Sequence, residues 1–383
     1  MKKTVLALAV GLVLLTVWGG MVYAETEEIR IGCLFAVTGK AAWLGEPEKK
    51  TAEMLADEIN AAGGINGRKI KLIIEDDQAD NTRAVTAVKK LIEKDKVCAI
   101  IGPSVTGTTM AIIPIMQEAK IPLVSCAAAA AIVEPVAERY WIFKTPQKDS
   151  DAVRRIYEHM ISKGIKDVGL ITATSGFGDA GRTQLKALAA EYKINLVADE
   201  TYAPTDTDMT AQLVNIRKAN AQAVINWSIE PAQAIVPKNM KQLNLTIPLY
   251  QSHGFGNIKY AEAAGEAGEG IIFPAGRLLA VDTLAADHPQ KAVLTEYKTK
   301  YEAKFNEPVS TFGGHAFDAL HIVVNALKKV GDDPAKLRDA IETTEFTGTG
   351  GAFKMSAQDH SGLDKNAFEM LTVKGGKFVV LED

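Results

Sequence analysis

Cysteine is scarce in this chain. Cys33, Cys98 and Cys126 are the whole complement, an odd number with no C-x-x-C pair. A disulfide-dense scaffold is thereby excluded, and no zinc-ligand spacing arises. All three lie in apolar, strand-like stretches, so buried free thiols are expected, with one disulfide left open as an alternative. No strongly basic tract occurs and the formal charge is −4, which argues against nucleic acid as a partner. Catalytic spacings are missing too. His159, His253, His288, His315, His321 and His360 fall in no H-E-x-x-H, G-x-S-x-G or metal-ligand pattern. "DHSG" at Asp359–Gly362 sets acid, base and hydroxyl side by side, whereas a triad converges from distant loops. His315, in "GGHAFDALHIV", reads as a structural residue at a helix start. The expectation is a protein that is not an enzyme, with no cofactor and no metal.

One long apolar run is present, and it stands at the amino terminus. "MKKTVLALAVGLVLLTVWGGMVYAETEE" has Lys2 and Lys3, apolar residues from Thr4 to about Trp18, and small residues before an acidic stretch. The run is shorter than the ~20 residues that span a bilayer, and the layout is that of a secretory signal peptide. Cleavage is expected after Ala24, where no cysteine offers a lipid anchor. Removing the two lysines takes the charge to about −6 and leaves about 359 residues, expected to be soluble and enough for two domains.

Val- and Ile-rich runs then alternate with helix-period segments. "EIRIGCLFAV" reads as a strand, and "EKKTAEMLADEINAAGG" puts Ala52, Leu55 and Ile59 on one helical face before Gly63–Gly64 stops it. "KIKLIIEDD", "NTRAVTAVKKLIEKD", "VCAIIGPS", "GTTMAIIPIMQEA" and "IPLVSCA" continue the alternation. It restarts after Lys144 with "SDAVRRIYEHMISKG" and "DVGLITATS" and runs to "IPLYQSH". Alternating strands and helices imply parallel sheets covered on both faces, and two such series imply two α/β lobes. Ligands of such sheets sit beyond the carboxyl ends of the strands, so the cleft between lobes is the natural site.

One motif points elsewhere. In "GLITATSGFGDAGRTQLKALAAEYK", Gly176, Gly178 and Gly181 have G-x-G-x-x-G spacing, and the acidic pair Asp199–Glu200 follows about twenty residues later, as in a dinucleotide-binding fold. Such a fingerprint belongs in the first βαβ unit, yet "AVTGKAAWLGEP" lacks it, and exported proteins meet little nicotinamide. The glycines are read instead as a sharp strand-to-helix turn.

Many ordered segments carry a resemblance: "IRIGCLFAVTGKAAWLGEP", "INAAGGINGRKIKLIIEDDQADNTRAV", "IIGPSVTGTTMAIIPI", "IPLVS", "SGFGDAG", "AAGEAGEGII", "VSTFGGHAFDALHIV" and "GTGGAFKMSAQDHSG". Over nearly all of the mature chain this resembles the type I periplasmic binding proteins of ABC importers, in the leucine/isoleucine/valine-binding branch. The resemblance implies a periplasmic protein, a monomer, of two Rossmann-like lobes with parallel sheets joined by a three-strand hinge. Residues 25–144 plus 274–351 would form one lobe and 145–273 plus 352–383 the other. The crossovers would fall near Lys144–Thr145, Phe273–Pro274 and Gly350–Ala352. It also implies a small-molecule carboxylate ligand and a permease and ATPase complex in the inner membrane as partner. A sensory module for a membrane receptor has the same fold and is the other role open to it.

The resemblance assigns site residues. Thr106, in "GPSVTGTTMA" with Ser104, falls where the family has a hydroxyl that grips the ligand carboxylate at a helix start; capping that helix is its bland alternative. Ala127 keeps a main-chain contact, whereas Ala129 stands where amino-acid binders have a threonine. His253 stands where they commonly place an acid for the ligand ammonium, and a histidine has no fixed negative charge. Trp43, Leu44, Phe177, Trp227 and Ile229 are the expected apolar walls. A hydrophobic amino acid is the leading ligand by resemblance. The departures at Ala129 and His253 favour an aromatic or aliphatic carboxylate without an amino group, and Glu230, beside Ile229, keeps the amino acid open.

Overall fold

The computed structural model describes residues 28–382; the leader and its cleavage point at Ala24 lie outside the described residues. The first lobe opens with β1 (Ile29–Phe35), α1 (Ala42–Ala61), β2 (Ile70–Asp76) and α2 (Asn81–Glu93). It continues with β3 (Ala99–Ile101), α3 (Thr106–Ala119), β4 (Leu123–Ser125) and β5 (Ile142–Lys144). These strands run parallel in the order β2-β1-β3-β4-β5. From Ile31 to Phe35 β1 is buried on both faces, which is why its sequence is a continuous apolar run rather than an alternating one. Gly63 and Gly64, both at positive φ, stop α1 where the sequence placed its end.

The second lobe is built from α4 (Asp149–Ser162), β6 (Asp167–Ala173), α5 (Gly176–Ala189), β7 (Asn195–Tyr202) and α6 (Thr210–Lys218). It proceeds through β8 (Ala223–Trp227), α7 (Ile235–Gln242), β9 (Leu249–Gln251), α8 (Ile258–Ala264) and β10 (Ile272–Ala275). The chain then returns to the first lobe for α9 (Lys291–Phe305), α10 (Thr311–Val330), α11 (Pro334–Glu342) and a hairpin of β11 (Glu345–Thr347) and β12 (Ala352–Lys354). It ends as β13 (Glu369–Lys374) and β14 (Lys377–Val380), which extend the second sheet to β14-β13-β10-β9-β8-β6-β7. That sheet is therefore parallel only in part, because β13 pairs antiparallel with β10 and with β14. Gly375 and Gly376, both at positive φ, make the two-residue turn of this last hairpin.

The crossovers can be followed by core membership. Phe143 packs in the first core, and Ala152 and Val153 of α4 already belong to the second. Phe273 and Ala275 are in the second core and Leu278 is in the first. The third passage comes later than the expected Gly350–Ala352. Phe353, Met355, Leu363 and Ala367 still pack with the first core, and Phe368 with the second. We therefore take residues 352–367 with the first lobe. Segment 349–350 is nonetheless pinned: the buried Asp318 of α10 accepts from Thr349 N (2.6 Å), Thr349 Oγ1 (3.0 Å) and Gly350 N (2.7 Å).

In each sheet the strand order reverses beside the first strand, at β1 between β2 and β3 and at β6 between β7 and β8. The two reversal points face one another. A Cβ on Gly176, at the start of α5, would lie 2.8 Å from Gly107 N at the start of α3. Across the same cleft Asn257 Nδ2 donates to Trp43 O (2.9 Å) and Thr311 N donates to Gly256 O (3.0 Å). The lobes are closed on each other.

The glycine motif is now accounted for by the chain's own atoms. A Cβ on Gly178 would stand 1.9 Å from Ala173 O, and one on Gly181 would stand 2.1 Å from Trp227 Nε1. Asp199, the would-be ribose carboxylate, accepts from Arg182 Nε and Nη2 at 2.6 and 2.7 Å. Gly181→Ala should thus overpack the second core and cost about 1–3 kcal/mol. The check is a lower urea midpoint with an unchanged slope; an unmoved midpoint would show that the indole yields freely.

Candidate functional site

Six loops meet where the two reversal points face each other, and each leaves the carboxyl end of a strand or the start of a helix. After β1 comes Leu44; after β3, Ser104, Val105 and Thr106; after β4, Cys126, Ala127 and Ala128. After β6 comes Phe177, after β8 Ile229, and after β9 His253 and Gly254. The first turn of α10 adds Phe312 and His315, and Pro146 closes the hinge side. Together they line one small pocket between the lobes, with a cavity volume of about 20 Å³.

Thr106 is the first residue of α3. The cap position is Val105, which makes no side-chain cap bond, so Thr106 does not cap its helix. Its Oγ1 is buried and has no hydrogen-bond partner among the described residues. The first amides of a helix lack intrahelical acceptors, so this hydroxyl stands beside a natural anion site. The loop after β4 is held to α3 by Ser125, whose Oγ lies 3.0 Å from Thr109 Oγ1 and accepts from Ala127 N (3.1 Å).

His253 sits in a tight turn capped by Ser252, which accepts from Gly254 N and donates to Ser228 O. Its ring is ringed by Phe177, Trp227 and Phe368, with centroids at 5.3, 5.6 and 5.6 Å. Neither ring nitrogen has a partner among the described residues, and His315 Nδ1 has none either. Burial, helped by the positive Lys144, pulls both imidazoles down to about 3. Each is therefore neutral near pH 7 and carries one N–H that can donate. Lys144, fully buried with Nζ on Pro146 O, is itself lowered by burial to about 7.

Among the described residues, no acid lines this pocket. Glu230 is turned to its own loop, accepting from Ser228 Oγ (2.7 Å) and Ile229 N (3.3 Å), and it borders an adjoining cavity beyond Val105, Phe177 and Ile229. The lining thus combines hydroxyl and imidazole groups of Ser104, Thr106, His253 and His315 with the apolar Leu44, Phe177, Ile229 and Phe312.

Of the residues expected at the site, Ser104, Thr106, Ala127, Leu44, Phe177, Ile229 and His253 are brought together here. Ala129, Trp43 and Trp227 are not among the lining residues. Ala129 is fully buried in a third apolar cluster with Ile132 and Val133. Trp43 packs edge-on to Tyr260 at 5.0 Å, and Trp227 lies behind Phe177 at 5.7 Å. Sequence reasoning missed His315, Phe312 and Cys126. His315 arrives from a helix 170 residues further on than the hinge residue whose hydroxyl reaches its carbonyl, Thr145, and only the "FGGH" turn hinted at a crowded helix start.

Comparison with known proteins identifies the family and the fold. Residues 28–377 match the family described as periplasmic binding protein. The leucine-, isoleucine-, valine-, threonine- and alanine-binding protein of Pseudomonas aeruginosa is 24% identical, over 84% of this chain and 83% of its own. The branched-chain amino acid transporter substrate-binding protein LivJ of Streptococcus pneumoniae, solved with isoleucine, superposes with a TM-score of 0.81 at 26% identity, over 93% of this chain and 100% of that one. An ABC transporter solute-binding protein of R. palustris, solved with benzoate, also scores 0.81 at 26%, over 93% and 96%.

Thr106→Ala should weaken any carboxylate ligand by about 1–3 kcal/mol, the loss of a hydrogen bond to a charged group. Titration calorimetry reads this directly, and unchanged affinity removes Thr106 from the site.

Proposed function

The chain belongs to the periplasmic binding proteins, and from that premise we propose that it captures a small apolar carboxylate without an α-amino group for an ABC importer. The observation that carries this reading is the pocket's polar inventory: three buried donors without partners, on Thr106, His253 and His315, and no acid in the lining. A carboxylate would accept from all of them. An ammonium would be buried without a counter-charge, which costs several kcal/mol. The benzoate complex of the R. palustris protein supports this choice. In this reading the protein is exported and periplasmic, works as a monomer, and presents its closed form to a permease and ATPase.

A hydrophobic amino acid is the second reading. The curated name of the Pseudomonas aeruginosa relative and the isoleucine complex favour it, with Glu230 in the adjoining cavity as an acid to recruit. Thermal shift with benzoate, short fatty acids, phenylalanine and leucine separates the two. We expect stabilisation by benzoate and none by leucine; the reverse result would install the amino-acid reading. A receptor-sensing role predicts ligand-dependent capture of a receptor domain, and an import role predicts ligand uptake into vesicles bearing the permease.

Binding should also respond to pH. A carboxylate in the pocket favours the charged form of Lys144, whose free value is about 7; Asp149, Asp151, Asp359 and Lys148 act on the same group, and His253 and His315 stay neutral throughout. Binding is then strongest below that value and weakens as pH rises through it, by at most about tenfold per pH unit. Calorimetry between about pH 6 and about pH 9 should show proton uptake on the alkaline side; a flat profile would disconnect Lys144 from the ligand.

A further inference from the structure

We propose that Glu48 is kept as the uncharged carboxylic acid and, by donating to Ser104 Oγ, turns the Ser104 hydroxyl into the pocket as a donor to the ligand carboxylate. This deepens the carboxylate reading above and rests on it. Glu48 acts through Ser104 and is a positioning residue.

Glu48 lies in α1 and is fully buried. Its Oε2 is hydrogen-bonded to Ser104 Oγ, and its Oε1 has no partner among the described residues. Apart from the Ser104 hydroxyl, no group acting on it favours a negative charge, and no cation does so. The charged group acting on Glu48 is Asp77, another fully buried acid, and the Cys126 thiol is close enough to feel Glu48 in turn. An ionised carboxylate in this position would be both dry and unpaired. Burial accordingly pushes its ionisation well above the usual carboxylate range.

The protonation state fixes what Ser104 shows the pocket. A hydroxyl has one proton and two lone pairs. Ala36 N already donates to Ser104 Oγ at 2.9 Å and fills one lone pair. Were Glu48 ionised, it could only accept, so it would consume the single Ser104 proton. Ser104 would then face the chamber with a lone pair and repel a carboxylate. With Glu48 protonated, the carboxyl O–H fills the second lone pair, and the Ser104 proton is the only bonding capacity left. It has one direction to go, into the pocket that Ser104 lines beside Thr106. Two hydroxyl donors two residues apart then face the two histidines.

The first measurement needs no ligand. The infrared difference spectrum of wild type minus Glu48→Gln, near neutral pH, should contain the carbonyl stretch of a protonated carboxyl group; Asp77 and Asp318 are common to both proteins and cancel. Absence of that band overturns the inference whatever the ligand proves to be. Calorimetric titration with benzoate follows. Ser104→Ala should weaken binding about ten- to a hundredfold. Glu48→Leu should do the same, and Glu48→Gln, whose amide N–H donates to Ser104 in the same place, should restore affinity to within about threefold of wild type. Full benzoate affinity in Ser104→Ala together with weakened binding in Thr106→Ala would leave the carboxylate site standing and sink the role given to Ser104 and Glu48. If wild type takes up leucine and no benzoate, the carboxylate reading falls and the ligand half of this inference falls with it.

Discussion

Everything at the site depends on how closely two helix starts approach across the cleft. Gly107 and Gly176 meet backbone to backbone, and a single Cβ on Gly176 would stand 2.8 Å from Gly107 N. A larger residue at that point would wedge the lobes apart. With the lobes apart, Thr106, Phe177, Ile229 and His253 would face water rather than one another. The pocket's chemistry is therefore a consequence of close packing between domains, because a hydrogen bond or a charge counts for more where water is excluded. The glycine at the opening of α5 serves closure, while Gly178 and Gly181 serve the turn and the Trp227 contact behind it.

Around this pocket the buried polar side chains are neutral groups. Two imidazoles held at about 3 offer N–H donors without a formal charge. Lys144 is set back at the hinge with its Nζ on a carbonyl and a value of about 7. A buried guanidinium would bind a carboxylate more tightly and would also demand a permanent counter-ion. Donors that are uncharged before the ligand arrives avoid that penalty, and they still favour an anion over an ammonium.

Much of the architecture was legible in the sequence because its signals are periodic. β1 reads as a fully buried strand, α1 as a helix stopped by Gly63–Gly64, and "GPSVTGTT" as a strand-to-helix turn, and each is where the periodicity put it. Partial failures come from contacts made far along the chain. Nothing in "VSCAAAAAI" distinguishes Ala128, which lines the pocket, from Ala129, which turns into a core with Ile132. Trp227 is adjacent to the site in sequence, yet Phe177 stands between it and the chamber. His315 could not be placed, because its position follows from how α10 crosses the hinge, which Asp318 fixes through Thr349 and Gly350. The last crossover was read too early for a related reason: segment 353–367 is short, glycine-punctuated and non-periodic, and packing alone assigns it to the first core.

Under the proposed function, the donors that would recognise a ligand would also make closure conditional on it. With the lobes closed, Thr106 Oγ1, both His253 nitrogens and His315 Nδ1 have no hydrogen-bond partner among the described residues. A buried polar group left unsatisfied costs about 1–3 kcal/mol. Three such side chains amount to roughly 3–9 kcal/mol against the empty closed form. Shifting a two-state equilibrium from 1:99 to 99:1 takes about 5.5 kcal/mol, which lies inside that range. Under the function proposed above, water would satisfy these groups with the cleft open and a carboxylate would satisfy them with it shut. On that reading the free-energy gap between an empty and a filled closed state is built from the same atoms that would choose the ligand, so selectivity and conformational response would be one property of the pocket.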